Sequence, residues 1–475
     1  MKIAVEILRV VNVLIFTLLL LQSAMFAWQI VVAWFEVRRS RVRAQRADPF
    51  WVLTSDITLP VSLLVPAHNE QATIVENIHS MLSLHYPEFE VIVINDGSTD
   101  RTLQVMVESL GLEPMQRVHL LAVQCKKIRG LYGSPRHPRL LVVDKENGGK
   151  SDALNAGINL ARYPLFCAVD ADSLLDHDSL LQVVRPFIEE PDRMIAVGGR
   201  IQIVNGCTVR AGQVVETGLP RQLLPLLQTI EYIRSFLISR LAWSRLDAML
   251  IISGAFGVFK RSAAVAVGGY SHNTVGEDME IVVKLHRYHR ERNLPYQMRY
   301  VPESVCWTEA PPTLRLLRRQ RTRWQRGMIE TISKHRDMIF NARYGPSGTI
   351  GMGYFFLFDL VGPLVELFGY VMIPISFLLG HLDTNFFLAY LMLTFTYGIF
   401  LSTCSLAIEM VVTRTAKVSD LWLLTLVAVA ENFGYRQLNN IWRLEGIVRF
   451  LRGEKGWGQM DRSGFLKSTV GEKEE

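Results

Sequence analysis

Cysteine is scarce in this chain. Five cysteines, Cys125, Cys167, Cys207, Cys306 and Cys404, stand far apart in 475 residues, and no CxxC pair occurs. A zinc ribbon, a CxxC redox motif and a disulfide-stapled scaffold are therefore excluded, and reduced thiols in a cytosolic compartment fit. The GxxxxGK[ST] spacing is absent, so a P-loop ATPase has no support. No internal repeat or low-complexity tract is visible. Charged residues make up 20%, too many for a pure membrane bundle. The 49% hydrophobic share and mean hydropathy of +0.19 are too high for a disordered chain. At roughly 150 residues per domain, two to four units are expected. Lys and Arg outnumber Asp and Glu by 51 to 45, a net charge of +6. That balance could serve nucleic acid, but a membrane protein needs the same cations on its cytoplasmic face.

Residues 10–35 carry no charged side chain, a run longer than the ~20 residues a spanning helix needs. Arg38, Arg39, Arg41, Arg43 and Arg46 follow at once, which reads as a stop signal rather than the start of a mature secreted chain. The charge rule places the N-terminus outside and the chain after Arg38 inside. Residues 354–380 hold only Asp359 and Glu366, and residues 384–408 hold no acid or base. The link His381-Leu382-Asp383 suits the outer face, and Arg414 and Lys417 mark the return. Residues 421–430 are too short to span alone and read as a fourth span or a re-entrant piece. The expected organisation is a membrane helix and basic segment at 1–50, a cytoplasmic α/β domain with interfacial helices at 51–340, membrane helices at 341–452 and a cytoplasmic tail at 453–475.

Within 51–340, short apolar runs alternate with helical periodicity. Residues 61–65, 90–94, 140–143 and 165–169 read as strands. Residues 71–84, 99–110 and 151–161 read as helices. Alternation of this kind predicts a Rossmann-like, mostly parallel sheet covered by helices, with ligands beyond the carboxyl ends of its strands.

The polar clusters follow those ends. Asp96, in Asn95-Asp96-Gly97-Ser98, can accept from a nucleobase or ribose, although Asp-Gly is also ordinary turn chemistry. Asp170-Ala171-Asp172 ends an apolar strand. Two carboxylates so spaced can share Mg²⁺ or Mn²⁺ and leave positions open for phosphate oxygens. Asn147-Gly148-Gly149-Lys150 puts a lysine at a helix start, which suits an anion. Gly276-Glu277-Asp278 opens an amphipathic helix, where one acid could serve as a general base or simply favour the helix dipole. Gln320-Arg321-Thr322-Arg323-Trp324 lies in an arginine-dense helix that could clamp a diphosphate.

The ordered set of Asp96, Asp170/Asp172, Asp278 and Gln320/Arg323/Trp324 resembles the membrane-bound, processive-type glycosyltransferases of family 2. These are inverting GT-A enzymes that include cellulose, chitin, hyaluronan and poly-N-acetylglucosamine synthases. Their D, DxD, ED and QxxRW elements are all present. Val65-Pro66-Ala67-His68-Asn69-Glu70 matches their opening motif, and Ser253-Gly254-Ala255-Phe256-Gly257 matches the segment near the acceptor. The resemblance implies a GT-A cytoplasmic domain, α-helical transmembrane segments, a divalent cation, a nucleotide-sugar donor (a UDP-sugar) and a polysaccharide or lipid-linked acceptor. It implies no nucleic-acid partner. It gives Ala67, Glu70 and Asp96 to the uridine, Lys150 and Asp170 to the ribose and diphosphate, and Asp170 and Asp172 to the metal. Asp278 is then the base, Gln320 and Arg323 face the leaving diphosphate, and Trp324 stacks on the acceptor. Transfer of a single sugar to a lipid, and a non-catalytic nucleotide-binding membrane protein, are the rival readings.

Overall fold

A computed structural model describes residues 2–46, 58–413 and 418–454. The expected tail beyond Glu454, with Arg414, Lys417 and residues 51–57, lies outside the described residues. The described residues form two compact units, one of residues 43–46, 58–220 and 249–310, the other of residues 2–42, 221–248, 311–413 and 418–454.

The first unit is built on a ten-stranded sheet in the order β3-β4-β5-β2-β1-β6-β11-β8-β12-β7. Its strands are β1 (Val61–Ala67), β2 (Phe89–Asp96), β3 (Glu113–Met115), β4 (Ile128–Ser134), β5 (His137–Lys145), β6 (Leu165–Val169), β7 (Leu174–Leu175), β8 (Met194–Ile203), β11 (Phe256–Lys260) and β12 (Gln297–Thr308). A separate antiparallel pair joins β9 (Thr208–Arg210) to β10 (Gln213–Glu216). In the large sheet β4, β7 and β11 run against the other seven strands. The expected parallel core is the run β5-β2-β1-β6.

Every residue of β2 and β6 is buried. Strands covered on both faces read as continuous apolar runs rather than alternating ones, which is why these were visible in the sequence. The ladders are in step: Ala67 faces Asn95, Asp96 faces Lys145, and Leu64 faces Ala168. That register ends four strands at one edge, where the polar loops begin.

The expected helices are present, two with shorter limits, Ile74–Leu82 and Thr102–Leu110, and one shifted by a residue, Lys150–Leu160. The helix Glu277–Glu291 has three acids in its first turn and His289 and Arg290 in its last, which complements its dipole at both ends.

The second unit is helical. Among the described residues three helices are long and apolar enough to cross a membrane, Glu6–Ser40, Ser347–Leu378 and Thr384–Thr413. The helix Val418–Ala430 has 13 residues, about 20 Å at 1.5 Å per residue, and falls short of a bilayer core of about 30 Å. The apolar helices are joined by polar contacts. Asn12 Nδ2 donates to Ser376 Oγ at 3.0 Å, and Ile15 packs on Ile373 and Tyr390. The Glu431 carboxylate, fully buried, accepts from the Arg234 guanidinium and from Ser402 Oγ.

Candidate active site

The loops after β1 and β2 are stitched together. Asn69 takes a left-handed backbone (φ 59°), which asparagine tolerates better than most residues. Its Oδ1 accepts from Thr99 N at 2.8 Å, and its own N–H donates to Ser98 Oγ at 3.0 Å. Glu70 N donates to Thr102 Oγ1 at 2.9 Å. Ala67 is buried at the end of β1.

Asp96 is buried as well, and three donors of its own chain fill most of its acceptor capacity. Oδ1 accepts from Lys145 Nζ at 2.5 Å and Gly148 N at 3.0 Å, and Oδ2 accepts from Gly149 N at 2.7 Å. One acceptor position on Oδ2 remains for a ligand.

Lys150 stands at the start of its helix. Its Nζ lies 2.5 Å from Asp170 Oδ1 and 3.3 Å from Glu277 Oε1, and donates to Gly254 O at 3.4 Å. Burial alone lowers the pKa of this ammonium, but the charges of Asp170 and Glu277 outweigh it and the net shift is upward, so Lys150 is a fixed cation. A Cβ on Gly254 would come within 2.8 Å of Lys150 Nζ and 3.5 Å of Asp278 Cβ. A side chain at position 254 would therefore require the Lys150 ammonium to shift from its place beside Asp170.

The Asp170-Ala171-Asp172 turn is pinned on several sides. Ser173 N donates to Asp170 O at 3.0 Å, Asn77 Nδ2 donates to Ala171 O, and β7, two residues beyond Asp172, pairs with β12. Both acids are half-exposed. Among the described residues no group of three or more His, Cys, Asp and Glu side chains is placed to hold a metal. Two carboxylates are what Mg²⁺ commonly takes from a protein when substrate phosphates and water complete its shell, so the donor set fits.

At the Glu277–Glu291 helix start the two acids differ. Glu277 is buried against Lys150. Asp278 is half-exposed, and its Oδ1 accepts from Met279 N at 2.9 Å. Tyr270 lies buried near both, and burial followed by the Glu277 and Asp278 charges holds its phenol pKa well above the usual value.

Asp96, Lys150, Asp170, Asp172 and Asp278 thus all belong to the first unit, with Ala67 and Glu70. Gln320, Arg323 and Trp324 belong to the second, on the helix Leu314–Lys334. There Trp324 is 39% exposed, and the Arg321 guanidinium lies 4.4 Å from its ring centroid. Arg321 pairs with Glu231 at 2.8 Å, an acid that also accepts from Tyr435 Oη. Gln320 Oε1 has no hydrogen-bond partner among the described residues. Sequence reasoning missed two residues. One is Arg321, a variable position of QxxRW that is buried under the tryptophan. The other is Lys145, fully buried between Asp96 and Asp152.

The sequence model of Glycosyl transferase family 2 matches residues 62–263, and that of Glycosyl transferase family group 2 matches residues 165–413. The chain belongs to glycosyl transferase family group 2. It is a glycosyltransferase with a GT-A fold. Curated relatives include the poly-beta-1,6-N-acetyl-D-glucosamine synthase of Staphylococcus epidermidis, 31% identical over 273 residues, which are 57% of this chain and 55% of the relative. The synthase of the same name from Staphylococcus aureus is 30% identical over the same length and shares. The chain spans about half the length of these curated relatives. Among solved structures, this glycosyltransferase is similar to the mannosyltransferase PcManGT from Pyrobaculum calidifontis in complex with GDP-Man and Mn²⁺. The TM-score is 0.50 at 16% identity, over 94% of this chain and 100% of that one, a likeness of fold.

Proposed function

We propose that this glycosyltransferase is an inverting membrane enzyme that moves a sugar from a UDP-sugar to a growing polysaccharide, with its sheet-bearing unit in the cytoplasm where such donors occur. The observation that carries the reading is the convergence of Lys150, Asp170, Glu277 and Asp278 around Gly254. It combines a fixed cation for a diphosphate with an accessible acid at a helix start.

Ala67, Glu70 and the free position on Asp96 border the uridine. Lys150 and Asp170 lie along the ribose and diphosphate, and Asp170 and Asp172 hold the divalent cation, Mg²⁺ or Mn²⁺. When bound, that cation neutralises charge on the leaving diphosphate. Asp278 takes the proton of the acceptor hydroxyl as its oxygen attacks the anomeric carbon. The bond from that carbon to the diphosphate oxygen breaks, and attack from the opposite side inverts the centre. Gln320 and Arg323 donate to the departing diphosphate, and Trp324 offers a stacking face to the acceptor sugar.

Support for a polymer product comes from the relatives that bear the name of a polysaccharide synthase. A cavity of about 190 Å³ lies among the apolar helices, lined by polar side chains such as Arg234, Glu366 and Arg436 and by apolar ones such as Leu19, Phe26 and Leu401. Polar groups among apolar spans usually face a partner or water.

The test is a panel of UDP-sugars offered to the purified protein in detergent, with products sized by gel and mass spectrometry. A ladder of sugar polymers is expected with one donor. A single sugar on a lipid, or no turnover with any donor, overturns the reading. Reporters fused near residue 120 and at Asp383 test the orientation, the first expected inside and the second outside.

A further inference from the structure

The glycine turn that precedes Lys150 is clasped by a charge cluster of which the reading above uses only Asp96. Lys145, at the end of β5, is fully buried. Its Nζ lies 2.5 Å from Asp96 Oδ1, 2.6 Å from Asp152 Oδ1 and 2.6 Å from Glu146 O, and these three acceptors match the three donors of an ammonium. Asp96 in turn accepts from Gly148 N and Gly149 N at 3.0 and 2.7 Å. Asp152 accepts from Lys126 N at 3.1 and 3.0 Å and faces His272 Nε2 at 3.5 Å. The approach is tight, since a Cβ on Gly148 would meet Asp152 Cγ at 2.5 Å.

The turn is therefore held from both sides. Asp96 grips its two amides from β2, Asp152 lies beneath it in the following helix, and Lys145 ties the two acids together. Lys150 is the next residue after Gly149, and its ammonium reaches Asp170 at 2.5 Å. A shift of the turn is a shift of Lys150.

We propose that Lys145 is a positioning residue for donor binding, acting through Asp96 and the Gly148-Gly149 turn to set the place of Lys150. This rests on the reading above, in which Lys150 meets the donor diphosphate. A buried lysine gives the site a rigidity that a solvated loop could not, and misplacement of a binding group by about 1 Å can cost about 100-fold.

The experiment measures donor affinity by calorimetry, together with KM and kcat, on full-length protein in detergent. The variants are Lys145→Met, Lys150→Ala, their double, and Lys145→Met/Asp152→Asn. The last spares the fold one of the two carboxylates that Lys145→Met leaves uncompensated. Lys145→Met, or Lys145→Met/Asp152→Asn if the single variant does not fold, should weaken donor binding about tenfold or more, mainly as a rise in KM. Added to Lys150→Ala, the same change should cost almost nothing further, because residues that act through one another are not additive. Full additivity, or unchanged donor affinity in folded Lys145→Met or Lys145→Met/Asp152→Asn, overturns the proposal while the donor-site reading stands. Unchanged affinity in Lys150→Ala overturns both. Retained donor affinity in Lys145→Arg would match the proposal, and loss of fold in every Lys145 variant, Lys145→Met/Asp152→Asn included, would make the residue structural and overturn it.

Discussion

Lys150 Nζ and Asp170 Oδ1 stand 2.5 Å apart, so the lysine of the glycine turn is a direct partner of the first acid of the DxD turn. In the proposed mechanism, binding of a cation beside Asp170 and of a diphosphate beside Lys150 would then be coupled. Each arriving charge releases part of the attraction that held the pair. In the proposed mechanism donor and metal favour one another's binding for this reason.

Asp172→Asn is expected to abolish turnover while the protein still folds and inserts, because Asp172 is half-exposed and its loss leaves no cavity in the core. Excess EDTA should likewise stop the wild-type reaction, and Mg²⁺ or Mn²⁺ should restore it. Full activity in EDTA, with no metal retained by elemental analysis, contradicts the metal assignment.

Asp278→Asn and Glu277→Gln should separate. Loss of a general base costs about 10²–10⁴ in rate, so Asp278→Asn should lower kcat by that range with donor binding intact. Glu277 is a charge partner of Lys150, and Glu277→Gln should act chiefly on donor affinity. Transfer by Asp278→Asn at near the wild-type rate would rule Asp278 out as the base.

The pH response of donor binding follows from Lys150. Its folded pKa is raised above the ordinary lysine value, about 10.4. Its charge-dependent contribution is fully present below that unfolded value and is lost only as pH rises through the higher folded one. Donor affinity measured by calorimetry should accordingly stay flat between about pH 7 and pH 9. A fall in that interval that Lys150→Ala removes would contradict the fixed cation.

Much of this was open to sequence reading, for identifiable reasons. β2 and β6 are buried on both faces, so their apolar runs stand out, and the acids that follow them mark the strand ends. The helix start at Glu277 shows in its run of acids. Lys145 was not legible. It ends a strand whose apolar stretch stops at Val143, and nothing local says that β2 and the next helix will close over it. The place of β11 between β6 and β8 was hidden too, because it depends on pairing between segments about 60 to 95 residues apart. Arg321 passed as one arginine of a basic helix, because its ion-pair partner Glu231 is distant in sequence.

Arg234→Ala should destabilise the helical unit. It strips the partner from a fully buried Glu431, and breaking a buried ion pair typically costs about 3–5 kcal/mol. The thermal midpoint in detergent should fall clearly, and Arg234→Met/Glu431→Leu should recover most of the loss. Equal midpoints for wild type and Arg234→Ala would mean that Ser402 alone suffices for Glu431.

The clasp around Gly148 and Gly149 bears on how this enzyme can be recombined with its relatives. Its parts come from three places in the chain, Asp96 on one strand, Lys145 on another and Asp152 on the helix that follows. A segment exchange that carries residues 145–152 without a matching position 96 brings in a buried lysine with half its counter-charge missing. Chimeras cut between β2 and β5 keep the clasp only where the other parent also carries an acid at position 96, whereas cuts that keep these three residues from one parent preserve it.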